Sequence, residues 1–164
     1  RLHTLDESVT GKKFTVEPFA FAAFARDNLA TQEVFAGKNR LVGQFWVQND
    51  SGESVSLKKV TLRPQVNASI LTAQNGFLTL RVNNSGETFY FDSEQFPYTF
   101  NVDITIPKGK RQLVNLYLST ENDVDALVAF EITQIRVSGM QSEYIQTLNF
   151  QSLSAGSYQF KAQQ

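Results

Sequence analysis

Apolar and polar residues alternate along most of this chain with a period of two. Phe100, Val102, Ile104 and Ile106 are separated by Asn101, Asp103 and Thr105. Successive side chains of a strand point to opposite faces, so this run places its apolar groups on one face and its polar groups on the other. Pro107-Lys108-Gly109-Lys110 interrupts it. Pro presets φ for a turn and Gly accepts positive φ. Val114, Leu116 and Leu118 then alternate with Asn115, Tyr117 and Ser119. The spacing predicts an antiparallel hairpin over 96–120 with one buried face. A hairpin cannot bury that face alone, so the rest of the chain must supply an opposing sheet.

Residues 1–12 lack periodicity and read as a lead-in or linker, ahead of a single domain over 13–164. Residues 13–16 suit a short first strand. Phe19 to Phe24, FAFAAF, fits a strand or a short helix, because Phe21, Phe24, Ala25 and Leu29 would share a helical face. Arg40 to Gln48 is a strand with Leu41, Phe45 and Val47 on one side and Trp46 on the other. Asn49-Asp50-Ser51-Gly52 is a turn. Val55 and Leu57 then face one way and Val60 and Leu62 the other, which predicts a β-bulge at Lys58-Lys59. Val66 to Leu71 suits another strand. Phe77 to Val82 and Thr88 to Phe91 flank Asn83-Asn84-Ser85-Gly86 as a second hairpin. The inward set from Leu127 to Val137 shifts parity, predicting another bulge near Thr133-Gln134. Tyr144 to Phe150 and Tyr158 to Phe160 are the last strands. About eight to ten strands with turns every 8–12 residues predict an all-β, antiparallel β-sandwich, with a jelly roll as the alternative. Its expected core is Phe45, Phe100, Val102, Ile104, Val114, Leu116, Leu118 and Phe130.

Composition narrows the chemistry. The 164 residues are 41% hydrophobic and 19% charged, enough for one core. Net charge is −1 and the Lys and Arg are dispersed, so no basic stripe points to nucleic acid or an anionic membrane. The absence of Cys excludes disulfides and thiolate catalysis. With His3 as the sole histidine, a Ser-His-Asp triad and a multi-His metal site lack their parts. No apolar run reaches the ~18–20 residues of a membrane-spanning helix. The chain opens on Arg1 and reads as a processed product or an excised fragment.

Several pieces in order resemble one family of modules. Val34-Phe35-Ala36-Gly37-Lys38-Asn39 precedes the strand through Phe45, and a polar turn leads to Glu53-Ser54-Val55-Ser56-Leu57-Lys58-Lys59-Val60-Thr61-Leu62. Ile104-Thr105-Ile106-Pro107-Lys108-Gly109, the run from Leu113 to Thr120, Phe130-Glu131-Ile132 and Val137-Ser138-Gly139 follow. This order resembles immunoglobulin-like β-sandwich modules of large secreted or surface proteins of bacteria, notably Parcubacteria-like lineages. The resemblance covers residues 30 to 140, and the stretch from Phe19 to Asn28 departs from it. It implies an immunoglobulin-like sandwich with an extracellular structural or adhesive role, and carries over no catalytic residue.

The expectation is therefore a non-enzymatic, extracellular or cell-surface protein. It would be a subunit or module of a filament, pilus or surface layer, self-associating as a homo-oligomer or polymer. The assembly candidates are Phe19, Phe21 and Phe24 in the apolar segment and Tyr158 and Phe160 near the C-terminus, since an exposed apolar strand pairs with a neighbour. The alternative is a carbohydrate- or receptor-binding adhesin module, using Trp46, Tyr90, Tyr98, Tyr117 and Tyr144 as an aromatic platform if several share an exposed face. Asp123 and Asp125, beside Glu121 and Asn122, are candidate Ca²⁺ ligands, against the plainer reading of a solvated acidic loop. Asn49, Asn67 and Asn83 fit the N-x-[ST] glycan acceptor pattern.

Overall fold

Where apolar side chains alternate, the chain is extended and paired. The computed structural model describes residues 20–26, 30–65, 77–90, 96–120 and 125–162, with backbone only at 77–78, 85–90 and 126. The strands are β1 (Phe21–Ala25), β2 (Gln32–Phe35), β3 (Arg40–Asn49), β4 (Val55–Pro64), β5 (Phe77–Val82), β6 (Ser85–Tyr90), β7 (Tyr98–Ile106), β8 (Lys110–Thr120), β9 (Ala126–Gly139) and β10 (Ile145–Lys161). They form two five-stranded sheets, ordered β1-β3-β8-β5-β6 and β2-β10-β9-β4-β7. All pairs are antiparallel except β2 with β10. Within them, β1-β3-β8-β5 follows the A-B-E-D order and β10-β9-β4 the G-F-C order of an immunoglobulin-like sandwich. The protein is an all-β, immunoglobulin-like sandwich rather than a jelly roll. The linker and strands expected within 1–19 and 66–71 fall outside the described residues.

The expected 96–120 hairpin is not formed. β7 pairs with β4 in one sheet, and β8 pairs with β3 and β5 in the other. Pro107 to Gly109 is a corner that carries the chain between sheets, with Gly109 at φ 73°. Alternation reports which face a strand buries, not which strand lies beside it. β7 and β8 bury their faces in one core from opposite sides. The turn after β3 is a second such corner, and the Asn49 side chain joins the two. Its Nδ2 donates to the carbonyls of Glu53 and Ile106, both at 2.9 Å, while Gly109 N donates to the Asn49 carbonyl at 2.7 Å.

Both predicted bulges are present. The ladder shifts between Leu57 and Lys59, so Val55, Leu57, Val60 and Leu62 all reach the core. It shifts again at Thr133, where Gln134 pairs with Thr61 but Ile132 with Leu62. A third shift, between Leu41 and Gly43, went unread; it turns Val42 inward and leaves Leu41 half-buried. A Cβ at Gly43 would stand 2.8 Å from Leu116 Cδ1 and 3.0 Å from the Ala155 Cβ, so only glycine lets β10 approach β3 this closely. The core contains every residue expected of it except Ile104, which is half-buried on edge strand β7. The two C-terminal strands expected separately are one long strand, β10, irregular between Asn149 and Ser157.

Candidate functional site

The outer face of the second sheet (β2-β10-β9-β4-β7) is polar, and its groups bond to one another across strands. Ser56 Oγ donates to Asp103 at 2.7 Å and Lys58 Nζ to the same carboxylate at 3.3 Å. The Ser56 hydrogen bond, then Lys58, holds the Asp103 carboxyl below its ordinary range. Thr61 meets Thr99 at 2.7 Å, Lys59 donates to Asn101 at 2.9 Å, and Gln134 to Asn149 at 2.8 Å. Glu131 is buried; its carboxylate accepts from Arg63 Nε, from Gln65 at 3.4 Å and from Ser152 at 3.3 Å. At the β9–β10 turn, Glu53 Oε1 accepts from the backbone N–H of Gln141 (2.8 Å) and Ser142 (2.9 Å). These bonds, that of Ser142 foremost, lower its pKa.

The outer face of the first sheet (β1-β3-β8-β5-β6) is built differently. Register places Phe24, Trp46 and Leu113 in one row across β1, β3 and β8. The Arg111 guanidinium lies over both rings, 4.7 Å from Phe24 and 4.6 Å from Trp46. Further along, Tyr117 pairs with Arg81, whose guanidinium sits 5.0 Å over the ring. Between these two stacks, Arg26 Nη1 donates to Gln44 at 3.2 Å and Gln44 Nε2 to Asn115 at 2.8 Å. The ion pairs among the described residues are Lys58–Asp103, Arg63–Glu131 and Lys161–Glu33, all on the second sheet.

The third surface feature is an edge. Among the described residues β7 is the last strand of the second sheet, and beside it runs a groove of about 280 Å³ lined by Val82, Asn83, Asn84, Val102, Asp103, Ile104 and Thr105. The turn of the β5–β6 hairpin forms the opposite wall.

The sequence-predicted residues separate in space. FAFAAF yields a strand, β1, at the edge of the first sheet. Phe21 turns toward the core and Phe24 lies outward under Arg111. Tyr158 and Phe160 are fully buried in this chain's own core. Burial raises the Tyr158 pKa, opposed by Arg26, which stands 5.2 Å over its ring. Of the five proposed platform residues, Trp46 and Tyr117 share one outer face, while Tyr98 packs edge-on against Phe100 and Tyr144 against the core. Tyr90 is described by its backbone alone.

Asn49 is corrected as a glycan acceptor. It is fully buried, both amide hydrogens are engaged, and its Oδ1 accepts from Ser51 N at 3.0 Å and Ser51 Oγ at 2.5 Å. Asn83, at φ 50° in the β5–β6 turn, accepts from Asn115 N at 2.8 Å. Asp125 Oδ1 accepts from Ala162 N at 3.0 Å. Phe19, Asn67 and Asp123 lie outside the described residues. No cluster of three His, Asp or Glu occurs among those described. Arg111, Arg81 and Leu113 were missed. Their parity on the polar face of each strand was legible, but the cross-strand register that gathers them was not.

No known protein family matches the chain, and no curated protein does. Among solved structures it is similar to the ASH/PapD-like domain 7 of human CEP192, at 8% identity and a TM-score of 0.37, covering 93% of this chain and 92% of that one. It is also similar to self-complemented MyfA, the major subunit of Myf fimbriae from Yersinia enterocolitica, at 18% identity and a TM-score of 0.35, covering 87% of this chain and 99% of that one. These likenesses concern the sandwich as a whole and identify no site residue.

Proposed function

We propose that this chain is a non-catalytic structural module of an extracellular or cell-surface assembly, such as a filament, pilus or surface layer, and that copies join through the edge of β7. The observation that supports it is the nine-residue edge strand with a groove alongside. An unpaired edge presents a row of backbone N–H and C=O groups to an incoming strand. The groove beside it would take side chains of that strand, with half-buried Ile104 as its apolar wall. The other edges are shorter: β1 and β2 have five and four residues, and β6 six.

Light scattering against concentration, with negative-stain microscopy, tests this. Oligomers or filaments are expected at high concentration. Asn84→Trp, on an exposed turn residue at the groove mouth, should fill the groove and return the chain to monomer without changing its denaturation midpoint. A monomer at every concentration, or assembly unaffected by Asn84→Trp and by Ile104→Lys, would overturn the reading.

A further inference from the structure

We infer that the outer face of the first sheet is a binding site for a carboxylated polysaccharide, with Arg111 and Arg81 as its anion-reading groups. Each ring described on this face carries a cation. The Trp46 and Phe24 rings lie under one guanidinium and the Tyr117 ring under another. A neutral sugar would have to displace an arginine to stack there. What the face presents is the guanidinium, restrained by the ring beneath it. Such a group loses little further freedom on binding and offers a planar fork of donors that matches a carboxylate.

Among the described residues the Arg111 side chain makes no hydrogen bond or ion pair. Neither arginine meets a carboxylate among the described residues. Arg81 donates from Nη1 to the Asn83 carbonyl at 3.1 Å and its Nε is buried, so its part is the positive charge over Tyr117 rather than a full fork of donors. The carboxylate at the end of β3, Asp50, is held instead by Gln48 Nε2 at 2.8 and 3.0 Å. A face with two ring-seated arginines, whose one described neighbouring carboxylate, Asp50, is already bonded to Gln48, fits an anionic occupant.

The shape of the site selects among anions. The two arginine stacks stand six residues apart along β8, about 20 Å at the rise of a strand. The ground between them is polar amide, Gln44 and Asn115. The strip crosses β3 and β8, both paired on each side, so no main-chain group is free for an extended peptide. Peptides are read at sheet edges and in grooves, and this face is neither. A chain of hydroxyls and carboxylates needs only side-chain amides, guanidinium groups and apolar surface such as Leu113, which are present.

Calorimetric titration of the full chain with polygalacturonate, its methyl ester and polyglutamate tests this. Polygalacturonate should bind, and esterification should abolish binding. Arg111→Gln should weaken it about tenfold, the scale of one charged hydrogen bond, and Arg81→Gln with Arg111→Gln should remove it. Arg111→Lys restores the charge without the fork and should recover only part. Arg136→Gln, on the opposite face, should change nothing. Unchanged denaturation midpoints would show that these variants fold. Equal binding of polyglutamate would overturn the sugar in favour of any acidic polymer. No binding of polygalacturonate, or binding insensitive to both arginine variants, would overturn the site.

Discussion

The two outer faces of this sandwich cover one core and differ in where their charges are spent. On the second sheet, Lys58 pairs with Asp103, Arg63 with Glu131, and Lys161 with Glu33. On the first sheet, Arg81 and Arg111 lie on aromatic rings and pair with no carboxylate among the described residues. Polar groups satisfied within the chain tie strands together and have little left for a partner. A cation seated on a ring carries its charge without a carboxylate to neutralise it. The partner of each arginine, a carboxylate on one face and a ring on the other, is what tells the two faces apart.

The strongest perturbations should ignore the distinction, because they act beneath both faces. Leu116→Ala in the first sheet and Leu57→Ala in the second remove fully buried side chains, and each should cost about 2–5 kcal/mol by chemical denaturation. Ile104→Ala, half-buried at an edge, should cost visibly less; equal losses at all three positions would contradict the edge placement. Gly43→Ala drives a Cβ into Leu116 and Ala155 and should cost about 1–3 kcal/mol by overpacking.

The next test separates the faces. Glu131→Ala should cost about 1–3 kcal/mol, since it strands the hydrogen-bonding partners Arg63, Gln65 and Ser152. Arg111→Gln should stay within about 0.5 kcal/mol of the parent, as an exposed substitution does. If Arg111→Gln destabilised as much as Glu131→Ala, the first face would be structural too.

The smallest effect is in pH. Asp103 and Glu53 have folded pKa values below their ordinary ones, so the unfolded chain binds more protons as acid is added. Their contribution is present above the ordinary carboxylate pKa and is lost as pH falls through the folded values. Asp103→Asn should flatten the acid limb of a stability–pH curve, whereas Arg111→Gln should leave its shape alone. A limb unchanged by Asp103→Asn would remove that bond from the account.

Much of the fold was legible because burial in a sheet follows parity. The slips at Lys58-Lys59 and Thr133-Gln134 could be read as bulges because each sent the next apolar residue to the wrong side unless a residue was added. The slip at Val42 was hidden, since Leu41 and Phe45 already matched in parity through Gly43. Strand partners were not legible: 107–109 reads the same whether the chain folds back beside itself or crosses to the other sheet. The candidate site suffered for the same reason. Trp46 was recognisable as outward, but its neighbours Phe24 on β1 and Leu113 and Arg111 on β8 come from two other strands whose register is set by tertiary pairing. Asn49 matched an acceptor motif in a turn, and only burial revealed it as a tie between corners.

The parallel pairing of β2 with β10 sets how the module would bear load. Residues 32–35 run alongside 158–161 in the same direction, joined further by Ala36 N to the Lys161 carbonyl at 2.8 Å and by the Lys161–Glu33 pair at 3.2 Å. Tension drawing the early strand backward and the late strand forward slides them past each other. Every rung of that ladder then resists at once, as glued overlapping strips resist shear, whereas a hairpin pulled from its open end yields one rung at a time.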